Sequence, residues 1–400
     1  MIEKQKHHIS GTGNKNFLRH FILFFCFVML IGIEPITADE PVPVEIGVVY
    51  NLSGTQAELD ILSLNGARLA VDQMNRKKGV LGRPVRLVVA DGESRPAVVK
   101  KKTVELLEKN PYVSALMGLS DTDMVLASAP VAAGNGLLFL TSGATSPKLP
   151  FQVPEYLFLA CFGDNVQAAA GAEWAYQYLS ARTVAILFNS SQSYTRLLQG
   201  YFQTRFKELG GRVISMENYT PDTMSQAIQL LPKAVDLIFF SAMPEEAPKG
   251  VELLRQMGFT APILGGDGFD SEDLWQKHPE LGNVFFTTHA YLGADNPDQQ
   301  VKAFRKAYIR TYPGNKPNAF AALGYDAARL LMAAVAEAGS SDPHDVRRAL
   351  SGIRRFQGVT GTISYPSGSR ISSKSVTILQ IDQGQRKLVR NLLPASVPPP

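Results

Sequence analysis

Among its 400 residues the chain has only two cysteines, Cys26 and Cys161, and only two tryptophans. Cys26 lies inside an apolar N-terminal run, so removal of that run leaves Cys161 alone and excludes an intrachain disulfide. Stability then falls to core packing, for which the length is ample. Charge of one sign is equally scarce. The formal net charge is +4, and part of it sits in the leader. The basic runs Arg76-Lys77-Lys78 and Lys100-Lys101-Lys102 carry no interleaved aromatics and read as solvated helix faces, so no nucleic-acid partner is expected. Beyond the leader, no stretch reads as a membrane span.

Catalytic signatures are missing too. There is no Gly-x-Ser-x-Gly elbow, no phosphate-binding glycine-lysine loop and no His-Glu-x-x-His helix. Gly11-Thr12-Gly13 precedes the apolar run instead of following a strand, so it is no dinucleotide fingerprint. His278 and His289 lack neighbouring metal ligands, and lone Cys161 has no evident catalytic partner. The expectation is therefore no enzyme, no catalytic residue, no metal and no cofactor.

What is present begins with Lys4, Lys6, Lys15 and Arg19 ahead of a 13-residue apolar core, Phe21 to Ile33, and a small residue, Ala38, before Asp39. That core is short for a bilayer span and suits a secretory signal. Residues 1–38 are expected to export the protein to the periplasm, with retention as an N-terminal membrane anchor as the alternative.

Downstream, short apolar runs ending in polar loops alternate with longer amphipathic stretches. Strands are expected at 47–50, 85–90, 113–117 and 136–140, with helices between, and the rhythm restarts after Cys161 with strands at 183–188, 213–216, 235–240 and 262–265. This alternation argues for an α/β fold, helices flanking mostly parallel sheets, with ligand positions at the strand ends. In the last third, a strand at 284–288, helices at 299–311 and 319–338, and a hairpin of 361–365 with 375–381 complete the pattern. Two lobes joined by several crossings are expected: 43–160 with 286–350, and 161–285 with 351–385. Residues 393–400 are expected to form a flexible proline-rich tail.

Phe139-Leu-Thr-Ser-Gly-Ala-Thr-Ser-Pro147 stands out as an apolar run breaking into small and hydroxylic residues. Ser142, Thr145 and the backbone at Gly143 and Ala144 suit a carboxylate or amide oxygen without a buried arginine. Turn capping is the plainer role for the same groups.

In order along the chain, Gly47 to Gly54, Asn65 to Ala70, Gly79 to Gly82, Gly118 to Pro130, Thr141 to Pro147, Gly324 to Ala327 and Phe356 to Gly361 resemble the type I periplasmic binding proteins, in particular the branched-chain amino-acid-binding branch serving ABC transporters. The resemblance covers about residues 43–385. It implies a two-lobed, monomeric protein that closes over an amino acid or related small polar molecule and delivers it to a membrane permease. A ligand-sensing ectodomain acting in signalling is the alternative use of the same closure. The resemblance also assigns ligand contacts to Ser53, Thr122, the Gly143-Ala144-Thr145 segment, Tyr194 and Asp267. Asp121 and Asp123 flank Thr122, and Ser120 with Asp123 has capping-box spacing; a carboxylate can sit at Thr122 only if both acids are engaged elsewhere.

Overall fold

A computed structural model describes residues 41–400 together with residues 1–3, 5 and 8; the expected signal core lies outside the described residues. Two sheets organise Val42–Pro400, which forms one body distinct from Met1–Pro41. The first has five strands in the order Val85–Asp91, Val44–Tyr50, Val113–Gly118, Phe139–Thr141 and Leu157–Leu159, all parallel. The second has seven, in the order Gln385–Leu392, Val376–Asp382, Val284–Thr288, Ile263–Gly265, Leu237–Ser241, Thr183–Asn189 and Arg212–Tyr219. Its last five strands in that order are parallel, and the two C-terminal strands add antiparallel at one edge. Val113–Gly118 and Leu237–Ser241 are buried at every residue, as strands covered on both faces must be.

Ala319–Ala338 is apolar and long enough to cross a membrane, contrary to the expectation that nothing after the leader is. It is instead mostly buried in the first lobe, packed on Ala57–Asn75. Glycines permit the close crossing. A Cβ on Gly66 would lie 1.9 Å from the Ala321 carbonyl oxygen, and one on Gly324 would lie 1.9 Å from that of Ser63. Near this crossing, Asp326 accepts the Val359 and Thr360 N–H groups and the Thr360 hydroxyl, tying the helix to the loop Gly358-Val359-Thr360.

The lobe boundaries differ from those expected. Val284–Thr288 belongs wholly to the second sheet, so the chain recrosses after Thr288 and not after Phe285. Ile353, Phe356, Ile363 and Tyr365 pack into the first lobe's core, so the segment after 350 returns to the second lobe only at Val376. The expected hairpin is replaced by two others. Gly361–Ile363 pairs with Phe356–Gly358, while Val376–Asp382 pairs with Gln385–Leu392. The tail is held rather than free: Glu173 accepts the Ala395 and Ser396 N–H groups, and Asn165 donates to the Pro398 carbonyl.

Candidate functional site

The loop after Phe139–Thr141 is folded by its own polar groups. Thr141 Oγ1 donates to the Leu119 carbonyl at 2.9 Å and accepts the Ala144 N–H at 3.0 Å. The Ser142 and Gly143 N–H groups go to Gly118 and Leu119 carbonyls, and Tyr50 donates its hydroxyl to Ser142 Oγ. The backbone donors expected to face a ligand at Gly143 and Ala144 are thus spent inside the loop. Gly143 still matters sterically, because its Cβ would crowd Ser120 and Phe320.

Thr145 leads into a buried network that spans the lobes. Its carbonyl accepts the Asp164 N–H at 2.6 Å. Gln167 Nε2 then donates at 3.0 Å to both Asp164 Oδ1 and Asp267 Oδ1. Asp267 also accepts the Tyr194 hydroxyl at 2.8 Å and lies 3.1 Å from His289 Nε2. Burial pushes Asp164 up to about 8, with the Asp267 charge adding to it and the Thr145 and Gln167 hydrogen bonds opposing. Burial likewise raises the Tyr194 phenol well above its ordinary range and lowers His289, which stacks on Phe162. A neutral His289 facing an acceptor-only carboxylate must carry its proton on Nε2. Among the described residues, its Nδ1 and Asp164 Oδ2 have no hydrogen-bond partner.

The acids around Thr122 are engaged elsewhere. Asp121, not Ser120, caps the helix Thr122–Gly134, accepting the Asp123 and Met124 N–H groups. Asp123 reaches across to the second lobe, where Ser193 donates its hydroxyl at 2.7 Å and its N–H at 3.3 Å. Thr122 Oγ1 and Ser146 Oγ are buried and without a hydrogen-bond partner among the described residues. Both residues line a cavity of about 230 Å3 that the second lobe closes with Ser193, Arg196 and Leu197.

A second interlobe cavity, about 330 Å3, sets Thr55 and Gln56 of the first lobe against Asn189, Met224, Met243 and Glu245 of the second. Gln56 Oε1 is another buried acceptor without a partner among the described residues. Ser53 does not line either cavity. It is exposed in a turn, 3.4 Å from Asp91 Oδ2, with its carbonyl accepting the Ser94 hydroxyl. The structure therefore brings Thr145, Tyr194 and Asp267 together, sets Thr122 on a cavity wall, turns Ser142 toward Tyr50 and leaves Ser53 exposed in its turn, outside both cavities.

Gln56, Asp164 and Gln167 escaped the sequence reading, which takes His289 only as a histidine without metal ligands. Asp164 and Gln167 did leave a signal: two polar residues three apart opening an otherwise alanine-rich helix, Asp164–Tyr178. His289 follows the fully buried strand Val284–Thr288, the strand-end position where open α/β sheets place ligand-facing groups.

Two α/β lobes with unpartnered buried donors and acceptors at their facing strand ends define a protein that encloses small molecules. Residues 43–386 match the family model described as periplasmic binding protein, and the chain belongs to that family. It is 25% identical over 348 residues to the Leu/Ile/Val-binding protein BraC3 of Rhizobium johnstonii, covering 86% of this chain and 92% of that one. Among solved structures, the branched-chain amino acid transporter substrate-binding protein LivJ of Streptococcus pneumoniae, in complex with isoleucine, is 26% identical with a TM-score of 0.81, covering 88% of this chain and all of that one. The leucine-binding protein LivK of Thermotoga maritima is 29% identical with a TM-score of 0.78, covering 88% and 99%. The family is one of binding proteins, in keeping with a chain whose sequence carries no catalytic signature.

Proposed function

We propose that this protein is the extracytoplasmic solute-binding component of an ABC importer and that it captures an amino acid or a related small polar molecule by closing its two lobes. The observation that carries the reading is the pair of buried, unpartnered hydroxyls, Thr122 Oγ1 and Ser146 Oγ, on a wall of the first lobe that the second lobe covers. Buried polar groups without partners are costly, and a ligand carboxylate that accepts from both hydroxyls removes that cost. Deeper in the second lobe, Asp267, held by the Tyr194 hydroxyl, is the acid offered to an ammonium group, and in the second interlobe cavity Met224 and Met243 offer apolar, adaptable walls. The names of the relatives support an aliphatic amino acid as the first solute to try. Closure then presents a joined surface of both lobes to a permease.

Calorimetry of the purified protein against the amino acids, their amides and small carboxylates tests the reading. The expected result is one tight solute whose affinity drops about tenfold in Thr122→Ala, the loss of a hydrogen bond to a charged group. Unchanged affinity in that variant removes Thr122 from the site, and no binding by any member of the panel overturns the solute class.

A further inference from the structure

The interlobe cavity of about 230 Å3 is lined by two cations, Lys148 and Arg196, and by no acid. Its buried hydroxyls, Thr122 Oγ1 and Ser146 Oγ, have no hydrogen-bond partner among the described residues. Neither cation makes an ion pair among those residues. Arg196 is held in place from behind: Nη1 donates to the Ser190 carbonyl at 2.6 Å and Nη2 to Ser193 Oγ at 2.9 Å, and its other N–H groups are left for an acceptor. Lys148 is exposed and adds a screened attraction. Leu126 and Leu197 supply apolar wall.

The acids of this region are engaged elsewhere. Asp121 accepts the Asp123 and Met124 N–H groups, and Asp123 accepts the Ser193 hydroxyl and N–H. Asp267 lines neither interlobe cavity, and it already accepts from Gln167 and Tyr194 and faces His289 Nε2. An ammonium group enclosed in the smaller cavity would therefore meet two cations, with hydroxyl oxygens and the exposed amide of Gln152 in place of a carboxylate. A charge enclosed beside like charge and without an opposite partner is costly. A carboxylate in the same space meets two hydroxyls and a guanidinium, the donors that suit it.

We infer that the solute is a carboxylic acid with an apolar body and no ammonium group, its anionic end on Thr122, Ser146 and Arg196 and its body against Leu126 and Leu197. The inference rests on the proposed solute site at the first-lobe wall, and it narrows the solute class to acids that lack the amine. Arg196 is then a specificity-determining residue. Specificity is a difference between two affinities, and here the repulsion of the amine contributes to it as much as the attraction of the acid.

Calorimetry with matched pairs measures that difference. Each aliphatic and aromatic amino acid is set against its α-keto acid, which carries a carbonyl where the amino acid carries its ammonium. In the best-bound pair the keto acid is expected to be tighter by about tenfold or more. Arg196→Gln is expected to weaken the keto acid by about tenfold and the amino acid far less, so the ratio of the two narrows. Arg196→Lys, which keeps the charge but loses the fork, retains part of the ratio. A merely structural role for Arg196 would weaken both members equally, and the ratio is insensitive to any loss of folded protein. An amino acid that binds as tightly as its keto acid, or more tightly, overturns the inference and leaves the importer reading standing. Binding by no member of either series removes the proposed solute site itself, and an unchanged ratio in Arg196→Gln overturns the assignment of the carboxylate to Arg196.

Discussion

Asp123 of the first lobe caps a helix of the second: its carboxylate accepts both the hydroxyl and the N–H of Ser193, the first residue of Ser193–Glu208. A helix N-terminus leaves N–H groups without intrahelical partners, so a carboxylate there is favourable for both its charge and its hydrogen bonds. Since donor and acceptor lie on different lobes, the interaction exists only when the lobes are together. Asp123→Asn is therefore expected to weaken solute binding by about fivefold, on the order of 1 kcal/mol for a part-exposed cap. Small-angle scattering of the unliganded protein would show a larger radius of gyration in the variant if the clasp holds the closed form. Equal radii and equal affinities would assign Asp123 no part in closure.

Glu58 makes a second clasp, accepting the Ser271 hydroxyl across the lobes. Burial, then the charges of Asp273 and Glu245, raise Glu58 to about 7, and Lys277 opposes them. Lys316 is also nearby, lining the same cavity as Glu58, Ser271 and Asp273. When the lobes part, the carboxyl returns toward an ordinary value near 4.3. The closed form then binds the proton more tightly, so closure is most favoured at acid pH and loses ground as pH rises toward about 7. Solute affinity is expected to fall over that window and then level off. Glu58→Gln should flatten the profile, which calorimetry at several pH values would reveal.

Much of this architecture is legible in the chain because period and punctuation agree. Val113–Gly118 and Leu237–Ser241 are short, mainly apolar runs ending in polar loops, and Asp342 caps its helix as the Asp-Pro-His-Asp run implies. The C-terminal pairing was not legible. Gln385–Leu392 carries Arg386, Lys387, Arg390 and Asn391 and is largely exposed, so it shows no apolar alternation to mark it as the partner of Val376–Asp382. The site was half legible for a related reason. A hydroxyl loop such as Thr141 to Ser146 announces itself locally, but the meeting of Asp164, Gln167, Asp267 and His289 joins residues up to 125 positions apart, counted from 164 to 289, and depends on how the strands are ordered.

Asp164 gives a pH test of the buried network. Its folded value near 8 stands above an unfolded value near 3.9, so the native state holds a proton that the unfolded chain releases between them. The stability associated with that proton is fully present below the lower value, declines as pH rises between the two, and is gone above about 8. Asp164→Asn imitates the neutral acid and removes the decline. Its melting temperature relative to wild type is expected to climb from pH 5 to pH 8 and stay level beyond; a constant offset across that range would mean that Asp164 is ionised in the folded protein.

The crossing of Ala57–Asn75 with Ala319–Ala338 sets the position of everything the second helix carries, including Asp326 and its grip on the loop at Thr360. Gly324→Ala puts a methyl group 1.9 Å from a backbone oxygen that no side-chain rotation can relieve. The helices must separate, and the expected cost is about 3 kcal/mol, at the upper end for overpacking. Gly134→Ala is the control. Gly134 ends its helix with open space where a Cβ would go, and the substitution gains helix propensity with no clash. Urea unfolding is expected to show a lower midpoint for Gly324→Ala and an equal or slightly higher one for Gly134→Ala. Equal midpoints for Gly324→Ala and wild type would mean that the helices have room to part, and that the close crossing does not hold the first lobe together.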